Sequence, residues 1–488
     1  MGFRAALVLA TLLLTCVAPP AARAQASAPP ADPGTASTTW TLRNWSRVEW
    51  WRFFEPPPGG GDHEYAYPVN RLQAGVRRDG ARYGLTAALQ YVQFGNLPAD
   101  AVGPGPLGLG AVYFGHAGRS DSRQVYLRYL HLQLKDLLPG VTLQVGRMPY
   151  ASGGEDASGH PKIEAVTLQR VAARLVGEFE WSIYQRGYDG VRVDVVRRPW
   201  RASAVAFSPT QGGFEDAAGL MMPDVRVLGG TFTVRPVALG DVAEVQAFAL
   251  RYSDDREVAA RPDNTGRAAA GVDVGINTFG ATLVAASSAV EGRQWDGLLW
   301  LAGQTGSWYE QTHRAFSIAA EAGHQWGAAR WRPWLRGGVL WASGDDDPTD
   351  DRHGTFFQML PTVRRYAQTA LYSQMNSVDV FVQAFARPTP SLAVRADVHR
   401  VGLADARDRW YFGSGATQSR GSQLGFSTRP SSGRTDLATI VELSGDYTLS
   451  RRWSINAFLG VARGGEVVRR SFAGRTMTFG YLENVLQF

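Results

Sequence analysis

Arginine is the residue type through which this 488-residue chain can do chemistry. Of its 50 basic residues only Lys135 and Lys162 are lysines. A guanidinium carries a planar fork of donors suited to two-point contact with carboxylate or phosphate, and it keeps its charge. Arg71, Arg77, Arg192, Arg336 and Arg395 fall on the polar phase of segments that alternate apolar and polar side chains. Arg128 and Arg147 are ambiguous, because strict alternation groups them with the apolar set unless a bulge or strand end intervenes. The polar phase also carries Asp194, Glu321, Asp397, Glu442 and Asp446, so some arginines must pair with acids while others stay available to a ligand. A cavity lined in this way concentrates anions.

Other chemistries find no support. The run Asp345, Asp346, Asp347, Asp350, Asp351 could offer oxygens to Ca²⁺, but it lacks EF-hand spacing and reads as a solvated loop. No glycine-rich stretch continues into Gly-Lys-Ser/Thr, no Ser, His and Asp set stands out, and the eight histidines show no zinc spacing. Cys16 is the single cysteine. No catalytic residue, metal, cofactor or nucleic-acid partner is therefore expected.

The elements that position the arginines begin after a leader. Arg4, an apolar run from Ala5 to Leu14, and Ala22-Arg23-Ala24 read as a signal peptide cut after Ala24. The rival reading is a lipoprotein modified at Cys16, although Thr15 stands where a small residue is usual. Residues 25–39, rich in Ala, Pro, Ser and Thr, are expected to be a disordered leader, and 40–488 a single domain. Beyond the signal no apolar run is long enough for a membrane helix, so a membrane could be crossed only by a closed barrel.

From Trp40 onward, segments of about ten residues alternate between oily and wet faces. Leu392, Val394, Ala396 and Val398 alternate with Arg395, Asp397 and His399; Val441, Leu443 and Tyr447 alternate with Glu442, Ser444 and Asp446. Short turns near Asp79-Gly80, Leu138-Pro139-Gly140, Arg198-Pro199, Leu239-Gly240, Gly327-Ala328, Pro388-Thr389-Pro390 and Ser450-Arg451 are interleaved with long connections at 93–122, 148–188, 208–224, 253–267, 343–375 and 403–436. That asymmetry is the mark of a bacterial outer-membrane barrel rather than a soluble sandwich. Keeping 268–284 as one strand gives 18 strands and places both ends in the periplasm. Trp50, Trp51, Trp200, Trp326, Trp331, Trp341 and Trp453 sit near strand ends, as headgroup-level anchors would. Phe488, with Leu486 on its face, ends the chain on an amphipathic segment.

Three stretches carry a family likeness: Val125-Tyr126-Leu127-Arg128-Tyr129-Leu130 with Leu143-Gln144-Val145-Gly146-Arg147; Arg170 to Trp181 with Arg186-Gly187-Tyr188-Asp189-Gly190-Val191-Arg192; and Trp341-Ala342-Ser343-Gly344-Asp345 followed by Thr355-Phe356-Phe357-Gln358-Met359-Leu360-Pro361. Together they resemble the alginate-export family of outer-membrane β-barrel porins. The resemblance implies an all-β, 18-stranded barrel whose arginine-lined pore passes a polyuronate. It also implies Arg128, Arg147, Arg192, Arg336 and Arg395 as lumen contacts, with Asp189 and Asp194 as balancing acids. The expected partners are outer-membrane lipid and an anionic oligo- or polysaccharide, with the barrel acting as a monomer and a periplasmic export partner left open. A small-anion or general porin, and a barrel whose surface loops do the binding, are the alternatives.

Overall fold

The computed structural model describes residues 36–488 apart from 106, 270, 363 and 365. The expected signal peptide, and the expected leader as far as residue 35, lie outside the described residues. Eighteen strands form the wall: β1 (Ser37–Arg52), β2 (Glu64–Asp79), β3 (Tyr83–Phe94), β4 (Ser122–Leu134), β5 (Val141–Met148), β6 (Tyr188–Val196), β7 (Trp200–Pro209), β8 (Val225–Val234), β9 (Ala243–Asp254), β10 (Val274–Ala286), β11 (Arg293–Trp308), β12 (Gln311–Trp326), β13 (Trp334–Ala342), β14 (Ser377–Thr389), β15 (Leu392–Gly402), β16 (Asp436–Ser450), β17 (Trp453–Gly464) and β18 (Thr476–Gln487). Each pairs antiparallel with its neighbours in sequence. β1 also pairs with β18, from Arg43 opposite Gln487 to Arg52 opposite Thr478, and this closes the sheet. Closure satisfies every edge, which is what lets strands sit in hydrocarbon. β1 begins at Ser37, so the wall takes in the last residues of the expected leader.

Connections at one end are short: 80–82, 135–140, 197–199, 235–242, 287–292, 327–333, 390–391 and 451–452. Those at the other end are mostly long, and include 53–63 and 465–475, which alternation alone did not resolve. One differs in kind, since β11 and β12 are joined on the long-loop side by Tyr309-Glu310 alone. The strand expected from 268 begins at Val274, after 255–269 and 271–273 in the outer loop.

Side chains divide by face as a barrel requires. Phe279, Leu299, Leu301, Val380, Val382, Val441, Leu443 and Leu459 are exposed on the outside. Such a belt would be an aggregation hazard in water and is the stable face in lipid. Trp50 and Trp331 are outward, as interface anchors are, but Trp51 turns inward and stacks on Phe479 at 3.8 Å. No helix among the described residues is long and apolar enough to cross a membrane.

The lumen is not empty. Three short helices, α1 (Leu109–Ala117), α2 (Pro161–Arg170) and α3 (Glu466–Ser471), lie in the outer connections. α2 starts with His160, whose ring accepts from the Ile163 amide at 3.3 Å, followed by Pro161 at its first position. The loop carrying α2, 149–187, folds into the barrel together with 343–376. The two are laced by backbone bonds from Gly177 to Leu360 (2.8 Å), Leu360 to Leu175 (2.9 Å) and Thr362 to Ala173 (3.0 Å). Arg186, fully buried, donates to four carbonyls: Gly177 and Leu360 at 3.3 Å, Ser414 at 2.9 Å and Ala416 at 3.2 Å. It thereby staples three loops around one guanidinium.

Candidate functional site

Two cavities share the space the inserted loops leave. The inner one, toward the short turns, has a volume of about 1090 Å³. The outer one, under the long loops, measures about 510 Å³ and is lined largely by apolar and aromatic groups, among them Trp51, Phe53, Phe214, Phe412 and Phe426. Trp181 and Gln368 border both and so stand between them.

The boundary at Trp181 is built from charge and ring. The guanidinium of Arg47 lies 3.3 Å from the Trp181 ring centre and that of Arg364 3.5 Å from it. Stacking of this kind suits arginine because its planar cation is weakly hydrated. Arg47 also pairs with Glu49 at 2.6 Å, on the inward face that β1 shares among Trp45, Arg47 and Glu49.

The inner cavity is cationic. Arg43, Arg47, Arg71, Lys162, Arg332, Arg364, Arg387 and Arg395 line it against four carboxylates, Glu178, Glu180, Asp446 and Glu483. Among the described residues Arg47, Lys162 and Arg395 are ion-paired, to Glu49, Asp296 and Asp397 respectively. Arg43, Arg71, Arg332, Arg364 and Arg387 form no ion pair with a described residue. Arg71 makes only long contacts, at 3.4 and 3.5 Å, to the carbonyls of Ser182 and Ile183. Such forks can take up an anion without first giving up a protein carboxylate.

The residues singled out from sequence are distributed differently. Arg395 borders the inner cavity, while its guanidinium pairs with Asp397 two residues on. Arg336 faces inward but is fully buried between Asp296 and Glu321, beneath the loop that bears α2. Arg170 joins the same cluster at 2.9 Å from Glu321, and Lys162 lies 3.4 Å from Asp296. Arg336 therefore anchors the inserted loop instead of lining a cavity. Arg192 is occupied by Asp194 at 2.9 Å and by the Glu155 carbonyl at 2.7 Å, and Asp194 also accepts from Ser203. Arg128 is the extra residue of a register shift between β3 and β4, where Ala88 opposes Tyr129 and Leu89 opposes Leu127. The bulge turns it inward, onto Glu178 and the Arg186 carbonyl, and buries it.

Arg147 and Asp189 require a correction. They stand opposite each other on β5 and β6, and Arg147 also opposes Leu130, which is exposed on the outer face. Their two-point pair, both contacts at 2.7 Å, thus shares the outward phase. Arg147 further donates to the carbonyls of Leu127 (2.9 Å) and Gly219 (2.6 Å). β5 pairs with β4 only as far as Leu130, so Arg147 supplies a partner to the β4 edge that the short β5 leaves bare. The acidic run also divides: Asp345 is buried, whereas Asp346 and Asp351 remain exposed.

Sequence reasoning missed Arg43, Arg47, Arg332, Arg364 and Arg387. On β1 the inward face mixes Trp45 and Trp51 with Arg47, and the outward face carries Asn44 and Ser46, so polarity does not tell the faces apart. Arg332 and Arg364 lie in connections, where no alternation exists to read.

A closed antiparallel barrel of 18 strands, apolar outside and cationic within, with short turns at one end and long loops at the other, defines an outer-membrane channel. A family model described as alginate export matches residues 115–480, and the chain belongs to that family. No curated protein matches. Among solved structures, Pseudomonas aeruginosa OccK9 (OpdG) superposes with a TM-score of 0.56 at 12% identity, over 93% of this chain and 98% of that one. P. aeruginosa OpdK with vanillate gives 0.55 at 9%, over 92% and 99%. Acinetobacter baumannii OccAB2 gives 0.55 at 8%, over 92% and 98%. At these identities the likeness is one of fold.

Proposed function

We propose that this outer-membrane channel, acting as a monomer, passes anionic oligo- or polysaccharides of polyuronate type. The observation that carries the reading is the set of five cavity-lining arginines with no ion pair to a described residue. Each can hold a carboxylate by two donors and hand it to a neighbour, so that binding stays strong enough for entry and divided enough for exit. The test is conductance of the refolded chain in a planar bilayer under a salt gradient, with oligouronates added to one side. An anion-selective reversal potential and concentration-dependent block support the reading. Selectivity that is absent, or unchanged in Arg71→Gln/Arg364→Gln, overturns the assignment of the path.

A second reading, passage of small carboxylates, is favoured by the aromatic lining of the outer cavity above the cationic one. OpdK was crystallised with vanillate, an aromatic carboxylate. In the same bilayer, block by aromatic carboxylates with none by oligouronates selects this reading.

A further inference from the structure

On the lumen wall beside the inner cavity, three potential ligands converge from two adjacent strands. Asp397 and His399 are two apart on β15 and so share a face, and Glu442 on β16 lies directly opposite Asp397. One oxygen or nitrogen from each lies within 4.8 Å of the others, and all three residues are buried. We propose that Asp397, His399 and Glu442 form a binding site for a divalent first-row metal ion of the Zn²⁺ class.

The polar atoms aimed into this space are what distinguish it from a chance cluster. His399 is fully buried, and its Nε2 has no hydrogen-bond partner; nor has Oδ1 of Asp397. The other ring nitrogen, Nδ1, lies 3.1 and 3.0 Å from the two oxygens of Asp379 on β14. A carboxylate behind Nδ1 is the partner that orients metal-binding histidines, and here it turns Nε2 toward the Asp397 carboxylate, whose Oδ2 lies 4.0 Å away. Arg395 holds Oδ2 of Asp397, with Nε at 2.6 Å, and leaves Oδ1 free. An ion with bonds of about 2.0–2.2 Å to imidazole nitrogen and carboxylate oxygen would draw these groups inward from the separations of up to 4.8 Å at which they stand. Asp397 and Glu442 supply two carboxylates, of which Asp397 is shared with Arg395, and the single imidazole favours Zn²⁺ and its neighbours over Ca²⁺ or Mg²⁺.

The site also reaches the boundary between the two cavities. Glu442 accepts the backbone N–H of Gln368 at 2.8 Å and of Thr369 at 2.6 Å, and Gln368 borders both cavities. An ion that draws on Glu442 competes with those amides and loosens the tip of the 343–376 loop. Metal occupancy is therefore read as a change in conductance, whatever solute the channel passes. The ligands come from paired strands with i, i+2 spacing, which explains why no zinc motif shows in the sequence.

The test uses the refolded, metal-stripped full chain in detergent, with Co²⁺ as spectroscopic probe and Zn²⁺ as competitor. The expected result is visible d–d absorption from one bound Co²⁺ per chain, abolished by Zn²⁺. It should be absent in His399→Ala and in Asp397→Asn, and retained in His324→Ala. Asp379→Asn, which removes only the group behind the ring, should weaken Co²⁺ binding about 10–100-fold. Heat-modifiable gel mobility identifies the variants that form closed barrels. Zn²⁺ should also shift single-channel conductance in the parent chain and leave Asp397→Asn unmoved. Absence of Co²⁺ absorption in the parent chain, or its persistence in both His399→Ala and Asp397→Asn, overturns the site. Loss of anion selectivity or of oligouronate block bears on the transported solute and leaves this result standing.

Discussion

Arg336 and Arg71 both lie on wet phases, yet their surroundings give them opposite work. Arg336 is walled in by Asp296 and Glu321, whereas Arg71, also buried, lines the inner cavity against the Trp45 ring and distant carbonyls with no carboxylate partner. Removing Arg336 leaves two buried carboxylates short of a partner, so Arg336→Ala should cost about 3–5 kcal/mol, measurable as a lowered urea midpoint of the heat-modifiable form. Arg71→Gln, combined with Arg364→Gln, should leave that midpoint nearly unchanged and shift the reversal potential away from anion preference. Alternation in the sequence placed Arg71, Arg192, Arg336 and Arg395 on the inward face, because phase is a local property of a strand. It could not tell which of them the inserted loops would cover, because burial there depends on contacts such as Arg170 with Glu321, 151 residues apart. Arg128 shows a further limit, since its direction depends on a bulge that no residue type announces.

At the scale of elements, the strands were legible and the outer loops were not. Turn residues and a two-residue period give the hairpins, but the path of 149–187 and 343–376 into the lumen rests on Arg186 and on backbone bonds between distant segments. The contact of Asp345 with Asp408, whose carboxylate accepts the Asp345 amide at 2.9 Å, responds to pH. Burial, together with nearby Asp408, pushes the Asp345 carboxyl up to about 7, and burial pushes Asp408 up to about 6. A carboxyl with a raised folded pKa binds its proton more tightly in the packed loops than in opened ones. Its contribution is thus fully present below about pH 4 and is lost as pH rises through about 6 to 7. Amide exchange in 343–376 and 403–435 should accelerate over that interval, and Asp345→Asn should flatten the dependence. On the outer wall, Val382→Arg or Leu443→Arg near the bilayer midplane should destabilise the barrel in lipid by about 2–4 kcal/mol, measured by urea titration in vesicles.

At the scale of the whole molecule, a barrel of this strand number would enclose a wide passage, and the two inserted loops reduce it to cavities that Trp181 and Gln368 both border. Trp181→Ala removes the ring on which Arg47 and Arg364 rest and should raise single-channel conductance while weakening discrimination among anions. Unchanged conductance would place the narrowest point elsewhere.

The seam between β1 and β18 gives the chain a history as well as a shape. Leu42 and Phe488 exchange backbone bonds of 3.1 and 2.8 Å, so the first strand to be made waits for the last. Without Thr476–Gln487 the sheet would show two open edges to whatever surrounds it. That strand is the clasp that turns a liability into a wall.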